Sequence, residues 1–553
     1  MKKLYVLLFI LLPLLTYCQD ILWEKSYGGK HADYLFDAQP TADYGFILAG
    51  SSLSNKTGNK TDDNHGDLDY WIWKMDEKGD LEWQKSIGGG GFDLLQSVKN
   101  TKDGGFFLAG TSSSENGFQK GDPCKGITDF WVIKLDASGT EQWQRTIGGN
   151  GQEELLCAFQ TKDGGYILGG SSSSNPPSVS DTKPDGKSTA TTKADLFNKS
   201  EKSRGNMDYW VVKLSPEGSI EWQRTYGGKY ADLLRSMEQT SDNGYILAGY
   251  SSSPISGDKT EANKGVGDYW IIKINNAGDI QWQNVYGAEG DDQPYVIHQT
   301  IDGGYILGGN SNSKNALTTQ GGIVGNGTDF WVLKLDTEGD VIWSKTFDFG
   351  KTDILTSLVE NKDNSYLIGG HAKTESGRSL VNKLAKATGA AKEKDGIDDY
   401  IALKVDENGE EIWKKTIGSS GEDILRRLIE TRDGGYLMAG TSNSNSSKDK
   451  NSNIGSNDFW VVKLKDKTKI EKVKASIEAI PNPVKTYTNV IIGYDFKEGT
   501  ASVVDISGRI LQEISISSRT VPVDLSSYSE GIYIINVKTD VKTESVKVIK
   551  SVN

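Results

Sequence analysis

Short apolar runs of about five to eight residues, bounded by Gly, Asp and Asn, recur along most of the chain and never take a helical spacing. In residues 81–87, LEWQKSI, the side chains of Leu81, Trp83, Lys85 and Ile87 fall on one strand face, and those of Glu82, Gln84 and Ser86 fall on the other. This alternation predicts an outermost strand with one wetted side. Residues 245–249, YILAG, are apolar on both faces, which predicts an inner strand between neighbours.

A tryptophan marks each of seven copies of one pattern, at spacings of 60, 60, 79, 60, 61 and 70 residues. After it come an acidic residue with an apolar pair, a turn such as TKDGG, an apolar stretch, a polar loop and a DYWVVKL-type segment. Four short strands per copy at this period are typical of a propeller blade. We therefore predict an all-β, seven-bladed β-propeller with four-stranded blades. The markers are Trp23, Trp83, Trp143, Trp222, Trp282, Trp343 and Trp413.

The phase of the repeat predicts how the ring closes. An outer-strand segment at residues 21–27 precedes the first complete copy, whereas the seventh copy ends near Lys463 without such a segment. We expect the N-terminal strand to complete the last blade, because an incomplete ring would leave two open sheet edges.

The chain is expected to be divided into a signal peptide at 1–18, the propeller at 19–466, a linker at 467–477 and a smaller β domain at 478–553. Two lysines followed by a short apolar run predict the signal peptide, with cleavage after Cys18. Lipidation of Cys18 is an alternative, which the bulky preceding Tyr17 disfavours. No later segment approaches the length of a transmembrane helix.

Composition narrows the function classes. The 62 basic and 75 acidic residues give a net charge of −13, which argues against a nucleic-acid-binding surface. Three cysteines provide neither a disulfide framework nor a Cys-rich metal site, and whether Cys124 and Cys157 pair stays open. The four histidines form no metal-binding motif, no nucleophile elbow is present, and no resident cofactor is predicted.

A repeated acidic residue near the first strand of each copy is the candidate binding position. A ring of these carboxylates at one mouth of the channel would attract a divalent cation such as calcium, or a polyhydroxyl ligand. Alternatively, each carboxylate caps backbone N–H groups of its GG turn, or pairs with the repeated lysine of the DYWVVKL segment. The candidates are Asp33, Asp93, Glu154, Asp232, Asp292, Asp353 and Asp423.

The aspartates of the TxDGGY turns, such as Asp103 and Asp433, are interpreted as hairpin-turn residues. The tryptophan stripe is interpreted as packing between blades rather than as a ligand-stacking surface, because it recurs at strand spacing. Alternate connections of a propeller emerge on opposite faces. One face therefore carries short turns and the other carries the GG turns and the long polar loops, where recognition usually resides.

The C-terminal segment carries ordered landmarks: Pro481, Asn482 and Pro483, then a DxxG turn at Gly508, then the LSxxxxGxYxxxV segment with Gly531 and Tyr533. These motifs closely resemble the type A C-terminal sorting domain of type IX secretion. The resemblance implies a small immunoglobulin-like sandwich, handling by the type IX machinery and passage across the outer membrane.

The repeats, with TxDGGYIxAGxSxS and DYWVVKLDxxGxxxW, resemble secreted propeller-like proteins of bacteria that use type IX secretion. The sixth copy departs from them, with FDFGKTD for the glycine pair and Ile401 for the tryptophan.

These features together predict a secreted or surface-attached recognition or adhesion protein. Its expected partner is polar, an extracellular glycan or a surface protein, bound by the long-loop face. A secreted polysaccharide hydrolase or lyase and a structural envelope component are the alternatives, since 75 acidic residues always offer some carboxylate pair.

Overall fold

The structure, a computed structural model, describes residues 19–176, 198–313, 327–374, 397–466 and 475–551. The expected signal peptide at 1–18, most of the expected linker and parts of three long loops lie outside these ranges. The regular elements throughout the described ranges are β-strands, and none contains an apolar helix long enough to cross a membrane.

Strands β1–β28 form seven four-stranded antiparallel sheets in the expected order. Their bounds are β1 Asp20–Tyr27; β2 Asp33–Pro40, β3 Phe46–Ser52, β4 Asp69–Met75, β5 Leu81–Ile87; β6 Asp93–Asn100, β7 Phe106–Ser112, β8 Asp129–Leu135, β9 Glu141–Ile147; β10 Glu153–Gln160, β11 Tyr166–Ser172, β12 Asp208–Leu214, β13 Ile220–Tyr226; β14 Asp232–Gln239, β15 Tyr245–Ser251, β16 Asp268–Ile274, β17 Ile280–Tyr286; β18 Asp292–Gln299, β19 Tyr305–Ser311, β20 Asp329–Leu335, β21 Val341–Phe347; β22 Asp353–Glu360, β23 Tyr366–Thr374, β24 Ile397–Val405, β25 Glu411–Ile417; β26 Asp423–Glu430, β27 Tyr436–Ser442 and β28 Asp458–Lys465.

The seven sheets form a closed ring of blades. The first strand of each blade contacts the first strand of the next, and β26 of the seventh blade contacts β2 of the first. These first strands are therefore innermost and line the channel. The second and third strands are buried almost throughout, whereas outer strands such as β5 begin exposed, as their sequence patterns predict.

The N-terminal strand closes the ring, as predicted. Strand β1 pairs antiparallel with β28, in the order β1-β28-β27-β26, so the seventh blade combines both ends of the propeller sequence. The indole N–H of Trp460 donates to the Glu24 carboxylate across this seam at 2.8 Å. The backbone N–H of Asp33 also donates to the carbonyl of Asn457 at 2.9 Å, which joins blade one to blade seven.

Aromatic pairs join neighbouring blades. The ring of Tyr70 lies 4.8 Å from that of Trp131 in the next blade, and the same pair recurs at other seams. At the closing seam Phe459 lies 4.7 Å from Trp71. The interface between the seventh and first blades is therefore packed like the others. These contacts confirm that the repeated tryptophan of the third strand serves packing between blades.

The sixth blade keeps four strands despite its divergent sequence. Ile401 replaces the tryptophan that would have packed against Phe330 of the fifth blade. Phe349, which stands where four other blades have the second glycine of the GG turn, packs against Phe330 at 5.2 Å instead. The unusual FDFG sequence thus supplies the aromatic ring that Ile401 lacks.

A buried lysine in the third strand of every blade pairs with the aspartate of that blade's TxDGGY-type turn or its variant. The expected partner, the acidic residue at the start of the first strand, was wrong. The Nζ–carboxylate distances are 2.9 Å for Lys74–Asp43, 2.9 Å for Lys134–Asp103, 3.1 Å for Lys213–Asp163, 2.8 Å for Lys273–Asp242, 2.9 Å for Lys334–Asp302, 3.0 Å for Lys404–Asp363 and 2.7 Å for Lys463–Asp433.

The C-terminal strands form a separate two-sheet β-sandwich, as the resemblance implied. One sheet has the order β29-β30-β33 and the other β32-β31-β34-β35, with a shared apolar core that includes Val503 and Ile535. The bounds are β29 Ile477–Ile480, β30 Tyr487–Ile492, β31 Gly499–Asp505, β32 Ile510–Ile516, β33 Thr520–Asp524, β34 Gly531–Thr539 and β35 Thr543–Lys550.

Deleting residues 21–28 from the mature protein should lower the melting temperature of the propeller by about 5 °C or more. The deletion removes the β1 ladder and exposes both β28 and the core around Trp71. Scanning calorimetry measures the change, and an excess of a synthetic peptide of residues 20–28 should restore part of it. An unchanged melting temperature in the truncated protein would contradict ring closure by β1.

Asp433→Asn should lower the free energy of unfolding by about 2 kcal/mol, because it leaves the buried Lys463 ammonium without its carboxylate. Lys463 and the Thr431 hydroxyl hold the pKa of Asp433 below its usual value against the opposing effect of burial. The pair therefore stabilises the fold above about pH 4, and the difference between wild type and variant should shrink as the pH falls below that value.

Asp80→Asn is the matched control, because Asp80 pairs with Lys25 at 2.6 Å on the exposed surface. Its effect on the free energy of unfolding should stay within about 0.5 kcal/mol. Urea titrations of both variants at neutral and acidic pH provide the comparison. Equal losses at Asp80 and Asp433 would show that burial of the Lys463 pair carries no special weight.

Candidate functional site

The propeller has two unlike faces, as predicted. The loop face carries the GG turns and the long loops between the second and third strands, and the short-turn face carries the TxDGGY-type and DxxG turns. The sorting-domain side chains contact the short-turn face: Arg519 pairs with Glu77 at 3.0 Å, and Asn489 donates to the Lys102 carbonyl at 3.3 Å. The loop face lies on the opposite side of the propeller.

The candidate acidic ring lies at the loop-face end of the innermost strands, but its carboxylates are buried. The six aspartates are 0% exposed. In the third blade the repeat position falls on Glu153 rather than Glu154, because Glu153 pairs with Ser172 as Asp33 pairs with Ser52. Glu154 is half-buried and accepts a bond from the Gln152 amide at 2.7 Å. The aspartates are Asp33, Asp93, Asp232, Asp292, Asp353 and Asp423.

These carboxylates hold the turns that precede them. Asp93 accepts the backbone N–H of Gly89 at 2.7 Å and the Ser114 hydroxyl at 2.9 Å, and Glu153 accepts the N–H of Gly149 at 2.9 Å. The same four-residue bond recurs at the other five positions. The arrangement favours turn capping over a ring of open cation ligands.

A second buried aspartate faces the ring position across each seam between blades. Asp69 lies near Asp93 of the next blade, and burial together with that neighbour raises the pKa of Asp69 to about 7, against its bond from the His65 N–H. Asp129 is related in the same way to Glu153, and its pKa is raised to about 7. These paired carboxylates are covered by protein, so they do not form an open hydrolase site.

The sixth blade differs because Asp348 replaces the first glycine of its turn. Ligand oxygens of Asp329, Asp348 and Asp353 lie within 4.8 Å of one another, and Asp348 is exposed. Burial raises the pKa of Asp353 to about 7, with Asp329 and Asp348 contributing. Of the carboxylate groupings in the described ranges, this one comes closest to the cation site expected from the sequence.

Ordered turns, rather than free chain, form the described parts of the long loops. A buried lysine secures the loop in five blades, at Lys60, Lys120, Lys199, Lys259 and Lys450. Lys259, for example, donates to the carbonyl of Ser253 at 2.9 Å. Pinning of this kind gives the loop tips a fixed geometry on the loop face.

A phenylalanine occupies a strained position in one of these turns. In four of these blades, the residue two before the buried lysine has a positive φ: 61° at Gly58, 53° at Phe118, 59° at Gly257 and 50° at Lys448. Glycine adopts this conformation without cost, whereas a bulky aromatic residue rarely does. Phe118 is also 69% exposed, so burial does not repay the strain.

Phe118 is one of several exposed apolar side chains on the loop face of blades two to four. Its ring stacks on His65 of the first blade, with centroids 4.6 Å apart, and Gln119 contacts the same histidine at 3.0 Å. Tyr230 is 45% exposed, and the Lys229 ammonium lies over its ring. Ile127, Ile255 and Val266 are also exposed.

The repeat pattern does not predict the exposed Phe118, because the pattern contains only what the copies share. Aligning the turns on their buried lysine would have shown a phenylalanine at a glycine position.

Cys124 and Cys157 are both free thiols, and burial raises their pKa values to about 11 and about 12.

The sorting-domain landmarks take structural positions in the sandwich. Asn482 donates to the carbonyl of Lys547 at 2.6 Å and accepts the N–H of Ile549 at 2.9 Å, which ties the PNP segment to β35. Pro481 and Pro483 both follow cis peptide bonds.

The other landmarks shape turns and the core of the sandwich. Gly508, with a φ of 84°, donates to the Asp505 carbonyl at 2.9 Å in the turn after β31. Gly531 opens β34, and the hydroxyl of the buried Tyr533 donates to the carbonyl of Ser529 at 2.6 Å.

Comparison with known proteins finds partial likenesses for the repeat region. The "Regulatory protein FlaEY" of Caulobacter vibrioides is 24% identical over an alignment 378 residues long, which covers 61% of this chain and 36% of that protein. The chain thus matches about a third of that relative's length.

Among solved structures, a fungal alcohol oxidase of the AA5 family in complex with copper is 9% identical with a TM-score of 0.40, covering 96% of this chain and 99% of its own. The Pan2 WD40 domain of Neurospora crassa is 9% identical with a TM-score of 0.38, covering 80% and 91%.

Residues 478–551 match the family of secretion system C-terminal sorting domains. The match coincides with the sandwich strands and with the ordered landmarks from Pro481 to Tyr533. The chain therefore carries a type IX C-terminal sorting domain and is an exported protein, secreted or attached to the cell surface.

Proposed function

We propose that this exported propeller is a recognition or adhesion protein that binds a polar partner, an extracellular glycan or a surface protein, through its loop face. Phe118 carries the proposal. An exposed aromatic ring at a left-handed position weakens the fold locally, and strain of this kind is concentrated at functional sites.

The chemistry around Phe118 suits a polar partner with apolar faces. Aromatic rings at Phe118 and Tyr230 offer flat surfaces, while the His65 imidazole, the Gln119 amide and the Lys229 ammonium offer hydrogen-bonding groups beside them. A sugar ring presents both kinds of surface. A glycan is therefore the first partner to test.

The placement of the sorting domain supports the same face. Arg519, Asn489 and Glu478 contact the short-turn face, the last through a 2.8 Å pair with Arg432. A protein held at the cell surface from that side would present its loop face outward.

Phe118→Gly should weaken binding of a glycan found on an array by about tenfold or more, while leaving the melting temperature unchanged or slightly higher. Glycine relieves the positive φ as it removes the ring, so loss of binding could not be ascribed to unfolding. Tyr230→Ala should weaken the same interaction.

Ile301→Ala is the control, because Ile301 is 70% exposed in a turn of the short-turn face. It should leave binding unchanged. Loss of binding in Ile301→Ala but not in Phe118→Gly would place the site on the wrong face. Release of reducing sugar from the bound glycan would favour the hydrolase alternative instead.

A further inference from the structure

Two of the seven blades place an arginine at the same position of the channel wall. Each innermost strand has a β-bulge at its fourth residue, and this extra residue is unpaired in the sheet. Arg235 occupies the bulge of the fourth blade and Arg426 that of the seventh. The two arginines therefore stand at one level of the channel, three blades apart around the ring.

Contacts place the Arg426 guanidinium among the other bulge residues. Its Cζ lies 5.3 Å from the ring of Phe36, the bulge residue of the first blade. The bulge residue of the fifth blade, Tyr295, is also within electrostatic range of Arg426. Arg426 therefore lies near the bulge residues of two other blades, the first and the fifth.

Neither guanidinium has an acidic partner within the ranges that the structure describes. The Nε–H groups of Arg235 and Arg426 are buried and donate to no acceptor, and no carboxylate pairs with either side chain in those ranges. A buried guanidinium without an anion is unfavourable, because desolvation of its charge is not repaid.

The residues that directly follow the bulges, Asp37 in the first blade and Arg427 in the seventh, form an ion pair in the same wall. Asp37 accepts Arg427 Nε at 2.6 Å and Lys99 Nζ at 2.8 Å, and it is 0% exposed. Although burial raises the pKa of Asp37, Arg427 and Lys99 lower it to about 2. Within the part of the chain that the structure describes, Arg427 and Lys99 thus have a carboxylate partner, whereas Arg235 and Arg426 have none.

We infer that Arg235 and Arg426 form a site in the channel for an oxyanion, a carboxylate or sulfate group entering from the loop face. The guanidinium group matches the geometry of such anions and keeps its charge at all physiological pH values. Phe36, Arg235 and Arg426 are each half-buried, so none of the three side chains is sealed within the wall of the channel. The site is independent of Phe118 and of the proposed loop-face partner.

Titration calorimetry of the full mature chain with sodium sulfate, in a buffer of low chloride concentration, tests the inference. Sulfate should bind and should raise the melting temperature. Arg235→Gln and Arg426→Gln should each weaken binding at least tenfold and abolish the rise in melting temperature. Glucuronate in a parallel titration distinguishes a carboxylate-selective site from one that prefers free inorganic sulfate.

Arg224→Gln is the matched control, because it removes the same charge from the outer strand β13, where Arg224 is 37% exposed. Binding in this variant should equal that of the wild type. If neither anion binds at concentrations up to about 10 mM, or if Arg224→Gln weakens binding as much as Arg235→Gln, the inference is overturned. Should a glutamine variant be too unstable to titrate, Arg235→Lys must still show weakened binding.

Discussion

The pairing of β1 with β28 is the constraint on which the rest of the propeller depends. Each of the other blades is built from consecutive strands, so the seventh alone requires the two ends of the repeat region to meet. Neighbouring blades bury aromatic rings against each other. A break between the first and seventh blades would therefore expose Trp71 and Phe459 and leave two sheet edges open. Closure thus fixes the channel and both faces at once.

Two sets of buried charged residues stabilise the turns, one set at each face of the propeller. Lysine–aspartate pairs such as Lys463–Asp433 secure the hairpins of the short-turn face. Carboxylates such as Asp93 secure the GG turns of the loop face by accepting their backbone N–H groups. With both ends of each blade held by its own residues, the loop tips can vary without loss of the scaffold. Phe118, at a position held by glycine in two other blades, is such a variation.

The sequence predicted the architecture well because repeat phase, strand alternation and turn chemistry all indicated one answer. It failed where the decision depended on direction or register. Lys74 is the sixth residue of a strand that starts at the loop face, so its ammonium lies beside the turn aspartate Asp43 rather than the ring position. Glu153 and Glu154 are adjacent, and only the pairing with Ser172 selects Glu153. The roles of Arg235 and Arg426 could not be predicted from the sequence, because residues that do not repeat at a bulge carry no periodic signal.

Hydrogen–deuterium exchange of the full mature chain tests the central claim, closure of a seven-bladed ring by β1, most directly. The account predicts that the amides of residues 21–27 and 459–464 exchange as slowly as those of the corresponding strand pair in another blade, such as β8 with β9. Rapid exchange at residues 21–27, together with edge-like exchange along β28, would contradict it.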